Sequence, residues 1–292
     1  MKFNTRQQQS LEMGKLRRGQ LIKAAQRAAV TTHKDAYPHS YIYSLGGLGK
    51  THNVMKAVEE AGVPYVSISG KNSDWAFALS LALLYHKKSD GESIRIVVDD
   101  CDAILSDSFV NTLKNMLEGE KKLVYNKHIH PMYLDTDDKK NAVEELTNGV
   151  GFTVPCDEFI FIFTSNYKLP TSNQSMEAEK KGPGKGTQKI INLNAIRTRV
   201  LNKDIIFQSD EEWWGWISDA IMNDGALDNY LEEYQCIELL RWMWNNWKNL
   251  SGRDLRTCQQ MAAIMSADED YEDTWEQDYI DHNSKNVGDG SL

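Results

Sequence analysis

Residues 44–51 read Ser-Leu-Gly-Gly-Leu-Gly-Lys-Thr. Glycines at 46, 47 and 49 let backbone amides approach phosphate oxygens, a lysine at 50 reaches the outer phosphates, and a threonine hydroxyl at 51 suits Mg²⁺. Ser44 stands where the eight-residue phosphate-loop pattern has its first glycine, a departure that bears on turn geometry more than on phosphate chemistry. About fifty residues on, Ile-Arg-Ile-Val-Val-Asp-Asp-Cys-Asp ends an apolar run in carboxylates. There one acid can hold the water shell of Mg²⁺ and another can polarise an attacking water; Asp99 suits the first task and Asp100 the second, with Asp102 in reserve. A third run, Phe-Ile-Phe-Thr-Ser-Asn, closes on Asn166, whose amide can position water near a terminal phosphate.

These residues do this work only if one framework brings them together. Tyr37–Ser44 is an aromatic and β-branched run entering a glycine cluster, which predicts a strand and turn. Residues 51–62 follow as a helix closed by Gly62, residues 63–70 as a second strand, and residues 72–87 as a second helix. The apolar runs at 94–100 and 158–166 predict strands buried on both faces of a parallel sheet. Between them, 106–119 predicts a helix with Ser106 or Asp107 as N-cap. The alternation implies an α/β fold, a doubly wound parallel sheet with ligands gathered at the carboxyl ends of its strands. Two stretches interrupt the order. Residues 119–157 read as an insertion or a hairpin plus loop, and residues 171–189, rich in Gly, Lys and Ser, read as a mobile loop. From Asp210 the pattern turns helical, predicting a small all-helical second domain. The boundaries are a basic helical leader at 1–35, the α/β domain at 36–208, the helical domain at 209–266 and an acidic, disordered tail at 267–292.

With 292 residues, 41% of them hydrophobic and 26% charged, the chain has the composition of a soluble globular protein, and no run of about 18 apolar residues offers a membrane span. Cys101, Cys156, Cys236 and Cys258 are single and widely spaced, which predicts buried thiols and neither a zinc site nor a disulfide framework. The N-terminus has no apolar signal segment, so a cytoplasmic location is expected, that of the host if the chain is viral. The net charge of −9 is unevenly placed. Residues 1–34 carry eight Lys and Arg against the single Glu12, whereas residues 268–282 carry eight acids and no base. Such a head and tail imply different partners, or each other.

With phosphate loop, acidic strand end and polar strand end in order, residues 36–266 resemble the AAA+ ATPases, a family of P-loop NTPases. The resemblance places the Walker A motif at the loop, Walker B at Val-Val-Asp-Asp-Cys-Asp and the first sensor at Asn166. It implies ATP and Mg²⁺ as cofactors, held by Gly46, Gly47, Leu48, Gly49, Lys50, Thr51 and His52, with Thr51 and Asp99 as metal ligands, and it makes the helical domain a lid. Asn-Ala-Ile-Arg-Thr-Arg-Val is similar to the segment carrying the family's arginine finger, which matches Arg199, with Arg197 second. Ser-Gly-Arg-Asp-Leu-Arg is similar to the second-sensor signature and places Arg253 there. The catalytic set is then Asp100, Asn166, Arg199 and Arg253. A finger supplied in trans implies a ring-shaped homo-oligomer, a hexamer in many members. Asp100 stands where the family has Glu, one methylene longer, so slow hydrolysis is expected. The motifs also look like those of bacteriophage members, and GGLGKT with the acid pair resembles STAND-type switches, which hydrolyse little.

Two kinds of target fit this motor. DNA or RNA would use the basic leader and the Lys-rich 180–189 stretch for phosphate contacts, and the favoured target is nucleic acid or a replication or recombination complex. A protein-remodelling ATPase would use Trp75 or Phe77 as an aromatic pore-loop grip. The tryptophans at 213, 214, 216, 242, 244 and 247 have helical spacing and predict packing. His128 and His130 predict a loop without metal, and the acidic tail could dock a protein partner.

Overall fold

The computed structural model describes residues 3–69, 73–89, 91–100, 110–117, 121–128, 130–147, 149–182, 184–250, 252–267 and 276. Cys101, Asp102, the Ser106 and Asp107 caps and nearly all of the acidic tail therefore lie outside the described residues. The chain divides into two compact units. One comprises Ile22–Ser44 and Lys50–Asp204, and the other the described parts of Met1–Leu21, Leu45–Gly49 and Ile205–Leu292.

The first unit is α/β. Its strands are β1 (Ser40–Tyr43), β2 (Tyr65–Ser69), β3 (Ile94–Asp99), β6 (Phe159–Ser165) and β7 (Leu201–Asp204). They form one sheet in the order β2-β3-β6-β1-β7, and every pairing is parallel. The helices are α2 (Lys50–Glu60), α3 (Asp74–Lys87), α4 (Val110–Leu117), α5 (Asp137–Glu145), α6 (Ser172–Lys181) and α7 (Lys185–Arg197). β6 is buried at all seven positions and β3 at every position before Asp99. Central strands covered on both faces need continuous apolar sequence, which is why these two runs are the plainest in the chain. Phe159, Phe161 and Phe163 alternate onto one face of β6, with Phe161 and Phe163 stacked at 5.9 Å between centroids.

Between α4 and β6 the predicted insertion is a two-stranded antiparallel ribbon, β4 (Lys122–Tyr125) with β5 (Phe152–Pro155), in the register Leu123↔Val154. A 3-10 turn at Pro131–Tyr133 and α5 fill the connection. His86 of α3 meets Glu145 of α5 at 2.5 Å, and Lys87 meets Asp138 at 2.5 Å.

The expected mobile loop at 171–189 is instead two helices, α6 and α7. Thr171 and Gln174 form a reciprocal capping box at the start of α6. Gly182 ends that helix with φ of 80°, so the glycines mark a turn between helices.

The second unit is helical: the first part of α1 (Thr5–Val30), then α8 (Asp210–Asp224), α9 (Glu233–Asn246) and α10 (Leu255–Ala267). α8 is buried around most of its circumference, Trp214, Trp216, Ile217 and Ile221 together with Glu212, Ser218 and Asp219, so it is a central helix whose buried acids need partners. α1 crosses it backbone to backbone. A Cβ on Gly14 would lie 2.0 Å from the Gly215 carbonyl carbon, and one on Gly215 1.7 Å from the Ser10 oxygen. Close by, Arg18, buried, donates to Asp219 Oδ2 at 2.8 Å and pairs with Asp224, while Arg17 Nε donates to Glu212 at 2.7 Å and Arg6 to Glu211 at 2.6 Å. Arg6, Arg17 and Arg18 of the leader are therefore partners of α8's acids, a role hidden by a sequence separation of 201 residues at Arg18–Asp219. The tryptophans pack as expected: Trp214 Nε1 donates to the Leu240 carbonyl at 2.9 Å, and Trp214 meets Trp244 edge-on.

Candidate functional site

β1 ends at Tyr43, and Ser44 continues the pairing, its amide donating to the Ser165 carbonyl at 3.3 Å. Ser44 is fully buried, and its φ lies outside the left-handed region that Gly47 and Gly49 occupy at 70° and 73°. The backbone at 44 therefore does not require glycine, which accounts for the serine.

α2 begins at Lys50, so the loop delivers the chain to a helix N-terminus with no acid in its first turn. The Lys50 side chain is buried, with Nζ donating to the Ser44 carbonyl at 3.0 Å and to Asn166 Oδ1 at 2.8 Å. β6 lies between β1 and β3, and that strand order places Asn166 between the loop lysine and the acids of β3. Asn166 Nδ2 in turn donates to Asp100 Oδ1 at 3.3 Å. The exposed Asn166 thus spans a cation and an anion with the two ends of one amide.

Asp99 faces the other side of this group. Its Oδ1 accepts from Thr51 Oγ1 at 2.5 Å and from Thr164 Oγ1 at 2.7 Å. A hydroxyl and a carboxylate side by side are hard oxygen donors, a set that fits Mg²⁺, which takes one or two protein oxygens and completes its octahedron with water and phosphate. Asp100 adopts φ of 49°. A left-handed conformation costs a non-glycine residue free energy, and such residues cluster where side-chain direction matters. Here it turns Asp100 off the strand line, toward the amide of Asn166.

Lys50, Thr51, Asp99, Asp100 and Asn166 are thus brought together, and Thr164, which carried no sequence signal beyond its place in the strand, joins them. His52 is exposed in the first turn of α2, and Leu48 is buried. Arg199 lies just past the end of α7, where Nη1 donates to the Ala195 carbonyl at 2.6 Å. Lys114, which donates to Asn192 Oδ1 at 2.9 Å, is pushed below its ordinary pKa first by burial and then by the charge of Arg199.

Within the helical unit, the Leu255 amide at the start of α10 donates to the Gly47 carbonyl at 3.1 Å. Asp254 packs on Gly47 and caps α10, its Oδ1 accepting from the Thr257 amide at 2.8 Å. Arg253 is engaged with Asp210 Oδ1 at 3.1 Å and lies over the Trp247 ring at 5.7 Å. Arg256, exposed on the first turn of α10, follows directly on the residue that holds Gly47. Thr164, Asp254 and Arg256 are additions to the residues expected from sequence. For the last, the signal was present in Arg-Asp-Leu-Arg, where either arginine could head the helix.

His130 accepts from the Met132 amide at 3.3 Å, and among the described residues no group of three or more His, Cys, Asp and Glu gathers to hold a metal. Cys156, Cys236 and Cys258 are buried. No helix of the described residues is long and apolar enough to cross a membrane.

No protein-family model matches the chain, and no curated protein matches it in sequence. Among solved structures, a mutant of RuvB from Thermotoga maritima aligns with 87% of this chain at 12% identity and a TM-score of 0.42. The chain spans 64% of that protein's length.

Proposed function

We propose that this protein is an ATPase of the AAA+ type, binding ATP with Mg²⁺ at Ser44–Thr51 and coupling hydrolysis to work on nucleic acid or a nucleic-acid complex. The observation that carries this reading is the connected group Lys50–Asn166–Asp100 beside Thr51–Asp99–Thr164, at the carboxyl ends of three adjacent parallel strands. Bound ATP with Mg²⁺ supplies the phosphoanhydride and the charge that draws these side chains into use. The loop amides and Lys50 would hold the phosphates and Thr51 and Asp99 the metal; Asn166 would orient the attacking water and Asp100 would take its proton as the water oxygen bonds to the terminal phosphorus and ADP departs. In this reading 36–208 is the nucleotide-binding domain and 209–266 its lid. Arg199 serves a neighbouring subunit of a ring, and Arg253 or Arg256 senses the phosphates from the lid.

Asp100 decides between a motor and a switch. With a carboxylate one methylene short and already tied to Asn166, hydrolysis is expected to be slow, which favours as second reading a nucleotide switch. A grip on protein substrate is less favoured: Phe77 is fully buried in the core, and Trp75 stacks on Tyr133 at 4.2 Å.

The test separates binding from turnover. A fluorescent ATP analogue should bind wild type and Asp100→Asn alike and Lys50→Ala at least about tenfold more weakly, while turnover falls about a hundredfold or more in Asp100→Asn. Equal turnover in Asp100→Asn and wild type removes the assigned base. Native mass in ATP should show an oligomer, and a fully active monomer would reject the trans role of Arg199.

A further inference from the structure

The two basic segments that could meet a polyanion differ in what their charges already do. In the leader, Arg6, Arg17 and Arg18 are spent on α8's acids, which leaves, among the described residues, Lys15, Lys23, Arg27 and Lys34 spread along the rest of the segment. The helical hairpin α6–α7 is different. From 172 to 199 the sequence holds Lys180, Lys181, Lys185, Lys189, Arg197 and Arg199 against Glu177 and Glu179, with no acid after 179, within a chain of net charge −9. Lys180 and Lys181 are exposed in the last turn of α6. Among the described residues, no carboxylate forms an ion pair with Lys180, Lys181 or Lys189. A Cβ added at Gly182, at the end of α6, or at Gly186, in the first turn of α7, would meet nothing within 4 Å, so the backbone at these two positions lies open to a close approach, while one at Gly184 would meet the Thr187 hydroxyl at 3.5 Å.

We infer that the α6–α7 hairpin is a docking surface for the sugar–phosphate backbone of a nucleic acid, gripped by Lys180, Lys181 and Lys189 without regard to sequence. Unpaired lysines along an open turn meet phosphates by charge and release counterions in doing so. Tyr167, 40% exposed, adds an aromatic face beside them: Lys189 Nζ stands over its ring at 5.8 Å. A base stacking there would be read sequence-tolerantly. The same residue follows Asn166 directly, and its main chain is fixed by Tyr41, whose hydroxyl donates to the Tyr167 carbonyl at 2.6 Å. A strand seated on Lys189 and Tyr167 therefore lies one residue from the amide that joins Lys50 to Asp100, a short route from occupancy of the hairpin to the hydrolytic group.

The inference rests on the nucleic-acid reading above, but its readout does not need hydrolysis. Binding of the full-length protein to a fluorescein-labelled oligothymidylate of about 30 nucleotides, long enough to cover a single-strand site, is measured by anisotropy across a salt series. Two triple variants are compared with wild type: Lys180→Gln/Lys181→Gln/Lys189→Gln, and the leader control Lys15→Gln/Lys23→Gln/Lys34→Gln, which removes the same charge from the leader. Loss of three phosphate contacts should lower the slope of log affinity against log salt by about 2 and the affinity at about 0.1 M salt by about a hundredfold, with the leader control near wild type. Circular dichroism reports that both variants are folded. Equal losses in both, or no loss in the hairpin variant, overturn the inference. A wild type that hydrolyses ATP yet binds no oligonucleotide also overturns it and leaves the ATPase reading standing; hairpin-dependent binding without ATP hydrolysis does the reverse.

Discussion

Replacing Gly47 by alanine tests the phosphate loop and the start of α10 together. Gly47 has φ of 70°, and a left-handed backbone costs an L-residue roughly 1–2 kcal/mol. The added Cβ would also stand 2.4 Å from Asp254 Oδ2 and 2.5 Å from Asp254 Cβ, inside any real contact distance. Asp254 can yield only by giving up its bonds to the Thr257 amide and hydroxyl, at 2.8 and 3.0 Å. Losing that cap costs about 1 kcal/mol more, so Gly47→Ala should destabilise by about 2–3 kcal/mol in sum. Asp254→Gly removes all three clashing atoms, Cγ at 2.5 Å among them, and glycine at an N-cap costs only a few tenths of a kcal/mol, ~0.3. In that background Gly47→Ala should cost only the backbone term. Urea unfolding followed by tryptophan fluorescence is well matched to the question, because six of the chain's 8 tryptophans (213, 214, 216, 242, 244 and 247) lie in the helical unit. A double-mutant cycle should return a coupling of about 1 kcal/mol. A penalty for Gly47→Ala that is the same with and without Asp254 would refute the contact.

Arg18→Ala should destabilise by about 3–5 kcal/mol, since Asp219, with 5% of its side chain exposed, is left as a buried charge; Asp219→Asn in that background should recover part of the loss in denaturant unfolding. His39 is buried and its Nδ1 accepts from the Phe161 amide at 3.1 Å; burial, with His33 and Lys121 nearby, lowers its pKa to about 3. Its folded pKa lies below its unfolded value, so the unfolded chain takes up the proton first, and stability falls as pH drops from about 6.5 toward about 3. Unfolding midpoints between about pH 7 and about pH 4.5 should fall more steeply in wild type than in His39→Gln. In steady-state turnover, Arg256→Ala should lower kcat at least about tenfold. Arg253→Ala should mainly remove an ion pair with half-exposed Asp210, worth about 0–1 kcal/mol of stability, and a larger turnover loss in Arg253→Ala than in Arg256→Ala would give the sensing role to Arg253.

Much of this framework was legible because its signals are local. Strands β3 and β6 are buried at nearly every position, mostly apolar, and lead into Asp99 and Asn166, and glycines at 47 and 49 announce a backbone that only they adopt readily. What escaped depends on partners far along the chain. The Lys- and Gly-rich 171–189 stretch looked like a loop because its glycines outweighed the Thr171–Gln174 box, although that box was written in four consecutive residues. The leader's charge reads as an invitation to a polyanion, whereas Arg6, Arg17 and Arg18 answer acids about 200 residues away, as in the separation of 201 at Arg18–Asp219, a pairing only the fold creates. The second-sensor resemblance points to Arg253, which is held by Asp210 and Trp247, whereas Arg256 is exposed in the first turn of α10, a difference in surroundings that residue type does not carry.

In the proposed function the group around Lys50 hydrolyses ATP. Phosphate release by the purified full-length protein, with ATP and Mg²⁺ and with or without oligonucleotide, tests it most directly when run beside Lys50→Ala. Slow, Mg²⁺-dependent release that disappears in Lys50→Ala is the predicted result. Release that survives the substitution unchanged, or none under any of these conditions, would contradict it.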